Sequence, residues 1–422
     1  MKRIPFILFA VLFFFTQNVF SQSDENETSL SVQLRPRAEY RNGSLTPRAE
    51  GGLPAGFINN RARLSLDFKR ENLMMKVSGQ HVGVWGQDPQ IDTNGRFMLN
   101  EAWARLNFGT GFFAQLGRQS LVYDDERILG GLDWNMSGRF HDALKLGFED
   151  KSNKLHLILA FNQNKESIGG GTYYDESIGQ PYKSMQTLWY QYSDKSAPFN
   201  ISALFINLGK EKGTPEDADT QYMQTMGTNI NYSPNGFKLT GIFYYQTGKD
   251  ISAWMAGVNA GYTLNPEWSF KVGSEYLSGD KTDDSKYQAF DPLYGTHHKF
   301  YGAMDYFYAS KFKTGINPGL WDNFAGITFN PSKKVNLSLN YHYFSMAEDV
   351  YVNNEKLKKG LGSEFDFQID WAIMKDVKLS AGYSTMFGTE SMDVVKGGYH
   401  KSWQDWGWVS MNINPRILFV KW

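Results

Sequence analysis

Between Ser29 and Arg41 the chain alternates without a break. Val32, Leu34, Pro36, Ala38 and Tyr40 fall on one side, and Gln33, Arg35, Arg37, Glu39 and Arg41 on the other. A period of two is that of a β-strand, whose successive side chains point to opposite faces. Such a strand divides two surroundings. Either a core faces bulk water, or lipid faces a water-filled lumen.

The start of the chain separates these cases. Met1-Lys2-Arg3 is basic, Ile4 to Phe15 is apolar, and Asn18 to Glu27 is polar. This is the pattern of a secretory signal peptide, too short to span a bilayer. We expect residues 1–22 to be the signal, with cleavage near Ser21–Ser23, and residues 23–422 to be one mature barrel. The absence of cysteine rules out disulfides, lipoprotein acylation and thiolate chemistry.

A mature chain of about 400 residues usually divides into soluble domains, yet no linker, low-complexity stretch or change of period divides this one. Mean hydropathy is −0.46, and no run of about 18 apolar residues follows the signal, which excludes helical spans. A β-barrel passes that test because half of each strand is polar. The 23 Tyr, 31 Phe and 12 Trp are more than a soluble domain needs, and two interfacial girdles account for them. A net charge of −1 speaks against nucleic acid as partner.

The alternation recurs in 61–69, 101–108, 335–343 and 364–371. Its connections alternate too. Turn-rich links at 69–72, 109–111, 150–153, 193–198, 233–236, 265–267, 330–333 and 375–376 are tight. Between them lie longer segments near 42–56, 88–96, 124–140, 164–181, 209–219, 279–318, 346–360 and 387–403, with one short link at 247–251. Short periplasmic turns and long outer loops are the rhythm of a bacterial outer-membrane barrel. The fold class expected is therefore all-β: a closed antiparallel transmembrane barrel of about 18 strands, monomeric, with both termini periplasmic in a Gram-negative outer membrane. Lys299–Tyr308 looks strand-like but would make the count odd, so it is assigned to the loop 279–318, the best candidate for a plug. Pro415 cannot donate to a ladder. Either the last strand bulges there or the final residues continue beyond it.

Arginine is concentrated. Of 14 arginines, 12 lie between Arg35 and Arg139. By parity Arg35, Arg37, Arg61, Arg63 and Arg105 point into the lumen on neighbouring strands. Guanidinium groups pair in a planar, bidentate way with carboxylates, so this wall attracts anions. Asp67, Glu101 and Lys76 would tune it. The alternative is that the arginines pair with Glu39, Asp67 and Glu101 and only stiffen the interior. Glu364, Asp366 and Asp370 place acids inside a late strand, which sets a transverse field against the basic wall or forms a plain solvated face.

The segment Gly117-Arg118-Gln119-Ser120-Leu121-Val122-Tyr123-Asp124-Asp125-Glu126-Arg127-Ile128-Leu129-Gly130-Gly131-Leu132-Asp133-Trp134, with Gly138-Arg139-Phe140-His141-Asp142-Ala143, resembles the signature of the alginate-export family of outer-membrane barrels, as found in Bacteroidetes. Leu34-Arg35-Pro36-Arg37 and Phe290–Gly302 resemble that family as well. The resemblance implies an eighteen-stranded barrel whose arginine-lined constriction passes an anionic uronate polymer. Arg127 and Arg139 then lie in a segment expected to fold over the pore. Arg118 faces lipid unless Gly117 bulges, and lipid at mid-membrane would cost an arginine about 2–4 kcal/mol; a bulge or a position near the rim is expected.

No metal, cofactor or catalytic site is expected. The seven histidines lack ligand spacing apart from the pair His297-His298, and no nucleophile elbow or phosphate loop is present. The function expected is passive passage of anionic or polar solutes such as acidic polysaccharide, with outer-membrane lipid around the barrel and periplasmic export components as partners. Two rivals remain: a barrel-embedded hydrolase, and a non-conducting structural or adhesion barrel.

Overall fold

The computed structural model describes residues 25–89, 96–194, 196–281, 286–313 and 315–422. The expected signal peptide lies outside these residues. No described helix is long and apolar enough to cross a membrane; the chain is built from strands.

Six strands come first: β1 (Glu27–Asn42), β2 (Ala55–Arg70), β3 (Leu73–Val84), β4 (Phe97–Asn107), β5 (Phe112–Gln119) and β6 (His141–Glu149). They are followed by β7 (Asn153–Phe161), β8 (Ser184–Ser193), β9 (Phe199–Thr214), β10 (Asp217–Tyr232), β11 (Phe237–Gly248) and β12 (Ile251–Thr263). Next come β13 (Trp268–Leu277), β14 (Leu320–Ser332) and β15 (Val335–Ser345), then a small separate hairpin of β16 (Tyr351–Val352) and β17 (Glu355–Lys356). The chain ends in β18 (Gly360–Met374), β19 (Val377–Gly388), a short helix α1 (Glu390–Lys396), β20 (Gln404–Ile413) and β21 (Arg416–Lys421).

Each barrel strand pairs antiparallel with its sequence neighbour, and β20 and β21 both pair with β1. The last two are halves of one strand, so the barrel is closed with 18 strands. Asn26 and Trp422 exchange both backbone hydrogen bonds, 2.8 and 3.0 Å, at the lower end of the seam. Pro415 stays in register: its carbonyl accepts from the Val32 N–H at 3.1 Å. The shift falls after it, between the Leu30 and Ser31 pairings, where β21 carries one extra residue. The eight tight turns and most of the long connections fall where the sequence places them. The stretch 209–219 is no loop, however: β9 runs on to Thr214 and β10 starts at Asp217, paired across nearly all of it, because its residues continue the ladder on both strands. Residues 300–308 form no strand, as their assignment to a loop requires.

Outward side chains are apolar, with aromatic rings at both ends. Trp254, Tyr276 and Trp321 stand near the loop end, with centroids 4.9 and 6.4 Å apart. Phe237–Tyr262, Trp268–Phe329 and Phe112–Phe148 stand near the turn end, at 4.5, 4.2 and 4.9 Å. These are the two girdles of a membrane barrel.

The interior departs from a uniformly polar lumen. From β7 to β13, toward the loop end, Ile158, Met185, Leu204, Ile206, Leu208, Met255 and Leu277 point inward and are buried. They pack against Leu121, Ile128 and Leu129 from the β5–β6 connection and Phe290, Tyr301, Met304 and Phe307 from the β13–β14 connection. Both long connections therefore fold into the barrel, and its core lies between wall and plug.

Candidate functional site

The two infolded segments are zipped together. Leu129 and Tyr294 form a parallel bridge. Gly130 N donates to the Tyr294 carbonyl (2.9 Å), Tyr294 N to Ile128 (3.0 Å), and Thr296 N to Glu126 (2.8 Å). The strands approach closely enough that a Cβ on Gly295 would lie 2.1 Å from the Arg127 carbonyl oxygen. Thr296 Oγ1 donates to Glu126 Oε2 at 2.8 Å, and Lys299 Nζ reaches Oε1 at 3.1 Å.

The basic wall holds the first segment by its carbonyl oxygens. Arg35 Nη2 donates to the carbonyls of Asp133 (2.7 Å) and Asn135 (3.2 Å). Arg37 Nη1 donates to Trp134 (2.9 Å), Arg61 Nη1 to Met136 (3.4 Å), and Gln80 Nε2 to Ser137 (2.7 Å). Five consecutive carbonyls, 133 to 137, thus each meet an inward side chain of β1, β2 or β3. Arg35 and Arg61 sit directly opposite each other in the β1–β2 register, and Arg63 sits opposite Gln33 and Gln80. Arg63 Nε donates to Gln80 Oε1 at 2.8 Å, which orients the amide that grips Ser137.

Three of these guanidiniums converge on one carboxylate. Asp133 lies 3.1 Å from Arg35 Nη1, 2.9 Å from Arg61 Nη2 and 4.0 Å from Arg63 Nη1. The arginine side chains are 12%, 1% and 16% exposed, whereas the Asp133 side chain is 68% exposed. Arg37 is bound differently: it pairs with Glu39 at 2.8 Å and lies over the Trp134 ring at 4.2 Å. That indole also stacks on His298 at 4.2 Å.

The acidic wall grips the second segment by its amides. Glu364 Oε1 accepts from Met304 N (2.7 Å), and Asp366 Oδ2 from Ala303 N (3.4 Å). Asp322 on β14 accepts from His342 Nδ1, 3.0 Å to each oxygen. Asp370 is separate, paired with Lys378 at 2.8 Å. Cations hold carbonyls and carboxylates hold amides, each wall matched to the backbone group of opposite partial charge.

The remaining predicted residues form two further groups. Toward the turn end Lys76 pairs with Glu101 (3.0 Å), Asp67 faces Lys76 in the register, and Arg105 lies 3.7 Å from Glu149 and 3.5 Å from the Phe113 ring centre. Arg127 and Arg139 belong to the plug. Arg127 is 1% exposed and makes a bidentate pair with Glu275 on β13, at 2.5 and 2.8 Å, with a third contact to the Tyr301 hydroxyl at 3.1 Å. Burial works against its charge, and Glu275, Tyr301 and Asp125 more than offset that, holding its pKa above the ordinary range. Arg139 is gripped by the carbonyls of Tyr294 and Gly295, the latter at 2.7 Å, and burial pushes it down to about 10. Arg118 points outward in unbroken β4–β5 and β5–β6 register. It stands at the loop rim in a bidentate pair with Asp142, 2.9 Å for both bonds, and lies over Phe140 at 4.1 Å.

Asp133 and Gln80 carried no signal of their own in the sequence. Four inward lysines were also missed. Lys145 and Lys154 line a cavity of about 320 Å³ with His156 and Gln191. Lys238 and Lys271 line one of about 640 Å³ with Trp134, Glu275, Phe300, Asp322 and Asp366. Their parity marks them as inward; only their isolation from arginine hid them.

A closed barrel with two aromatic girdles and a charged interior bridged by its own loops defines an outer-membrane barrel of the channel type. The alginate export family model matches residues 26–392, and the chain belongs to that family. The fold is similar to OccAB4 of Acinetobacter baumannii, 12% identical over 95% of this chain and 99% of that one, TM-score 0.60. It is also similar to OccAB1 of the same organism, with 13% identity, 93% and 97% coverage and a TM-score of 0.61. OpdK of Pseudomonas aeruginosa, solved with vanillate, is 8% identical over 94% and 99%, TM-score 0.60. At these identities the likeness is one of fold. Comparison with curated sequences finds no match.

Proposed function

We propose that the protein is a passive outer-membrane channel for anionic solutes, with acidic oligo- or polysaccharide as the substrate class. The observation that carries this is the shared carboxylate: three lumenal arginines meet one aspartate, which leaves a net positive face in a family whose model is described as alginate export. Weak, multiple, exchangeable contacts of this kind favour entry and still permit exit. The inward lysines continue the positive lining toward the turn end. The turn end, where both chain ends meet, faces the periplasm, because short turns lie on that side in such barrels. The working unit is a monomer, and a periplasmic export component delivers the solute there.

Single-channel recording of the purified chain in planar bilayers tests this. The expected result is an anion-selective reversal potential across a salt gradient, reduced in Arg35→Ala/Arg63→Ala. Cation selectivity, or selectivity unchanged in the double variant, would sink the reading. The infolded loops favour one alternative, a non-conducting barrel whose interior is filled by its own loops. Absence of conductance in a correctly folded preparation would support it.

A further inference from the structure

We propose that Asp133 is a tethered stand-in for the substrate's carboxylate: it occupies the Arg35–Arg61–Arg63 site, and the carboxylate of a passing acidic sugar takes its place. This rests on the anion-channel reading and adds to it a built-in competitor that sets how long a solute stays.

The site is built for more than Asp133 supplies. Arg61 is wholly buried, and its Nε and Nη2 make no hydrogen bond, although Nη2 lies 2.9 Å from the aspartate; Arg35 Nε is likewise buried and unsatisfied. Buried donors left unmade are costly, so an additional acceptor delivered at this point gains what the aspartate does not provide. The aspartate is the accessible member of the cluster. With its side chain 68% exposed over arginines that are 1–16% exposed, it meets an arriving solute before the guanidiniums do.

The segment that carries Asp133 is made for local exchange. Leu132 and Gly138 bracket it at φ 49° and 71°, a backbone region that permits sharp turns at both ends. Between them, residues 133–137 are held to the wall by side chains rather than by a strand ladder. Swapping one carboxylate for another replaces like contacts with like. The net gain is therefore limited to the donors that Asp133 leaves unmade, and a solute that binds is also released. Without Asp133 the same arginines would hold an acidic sugar for longer.

Blockade of single channels by hexagalacturonate, with maltohexaose as the neutral control, tests the idea on the full-length mature protein. Asp133→Asn is expected to lengthen hexagalacturonate residence roughly tenfold, the effect of removing one charge-assisted competitor. Asp133→Glu is expected to stay near wild type, and maltohexaose to be unaffected in all. Asp133→Ser repeats the test should the asparagine variant fail to fold, as judged by heat-modifiable mobility. Unchanged or shortened residence in the variants, with the wild type blocked by the acidic probe, overturns the proposal alone. A wild type indifferent to hexagalacturonate overturns the anion-channel reading and this proposal together.

Discussion

Gly117 has a φ of +116°, and a Cβ built there would lie 2.2 Å from the Ala102 carbonyl oxygen. The glycine therefore lets β4 and β5 meet in register where a bulge would otherwise be needed, and Arg118 stays outside with Asp142. Gly117→Ala should open this pairing at a cost of at least about 1 kcal/mol, read as a lower yield of heat-modifiable, folded barrel. Arg127 is the other residue on which much depends. Arg127→Met leaves Glu275 buried without its partner and should destabilise the barrel by about 3–5 kcal/mol in urea titrations in detergent, while Arg127→Met/Glu275→Met should recover most of that loss. Equal losses in the single and double variants would show that the pair acts through shape alone. Parity reasoning placed Arg35, Arg37, Arg61 and Arg63 on the inner face correctly. It could not show that a loop acid far along the chain, 98 residues from Arg35, would be shared by Arg35, Arg61 and Arg63, because that pairing is a tertiary event with no local period.

The two infolded segments behave as one element. Their latch is Glu126: burial raises its pKa, but the bonds from Thr296, Lys299 and the Gly131 amide outweigh that and hold it below the ordinary carboxylate range. A carboxyl depressed in the folded state stabilises above its unfolded value and loses that contribution as pH falls through the folded one. Acidification from pH 5 to about 3 should therefore expose residues 120–140 to protease, and Glu126→Gln should remove that pH dependence. A Glu126→Gln variant that retains it would place the acid-sensitive group elsewhere. Leu129, fully buried at the bridge, gives a neutral counterpart: Leu129→Ala should cost about 2–5 kcal/mol at every pH. The sequence held a clue to this element in β7 and β9. Leu155, Leu157 and Leu159 alternate with Ile158 and Ala160, and Phe205 sits between Leu204 and Ile206. Strands apolar on both faces need a cover on both sides, and the inner cover here is the plug.

At the level of the whole molecule, strand number, turns and loop order were legible because each strand repeats the same period-two contrast and each link repeats the same turn chemistry. What the lumen does with its charges was not legible. The arginines were expected to attract anions or to pair with neighbouring acids, and the acids to set a transverse field or form a solvated face. The structure pairs Arg37 with Glu39 and has both walls holding the plug's carbonyls and amides. If that hold governs permeation, raising salt should weaken it by screening the exposed Asp133 pairs first. Channel noise from loop fluctuation should then rise between 0.1 and 1 M KCl, about the range over which the Debye length falls from 10 to 3 Å, and Arg61→Lys should show the same noise already at low salt.

The bridge between Leu129 and Tyr294 also sets a timetable. Its halves are separated by roughly half of the barrel strands. Although residues 133–137 can already sit on β1–β3, residues 126–130 therefore have no bridge partner until β13 has been made and the segment after it has turned inward. Closing so long a loop comes late, because its entropy must be lost before the contact gives anything back. The interior is thus finished by one of the last events of assembly. In a pulsed-proteolysis time course, protection of residues 126–130 should appear only with that of residues 290–300, and never ahead of it.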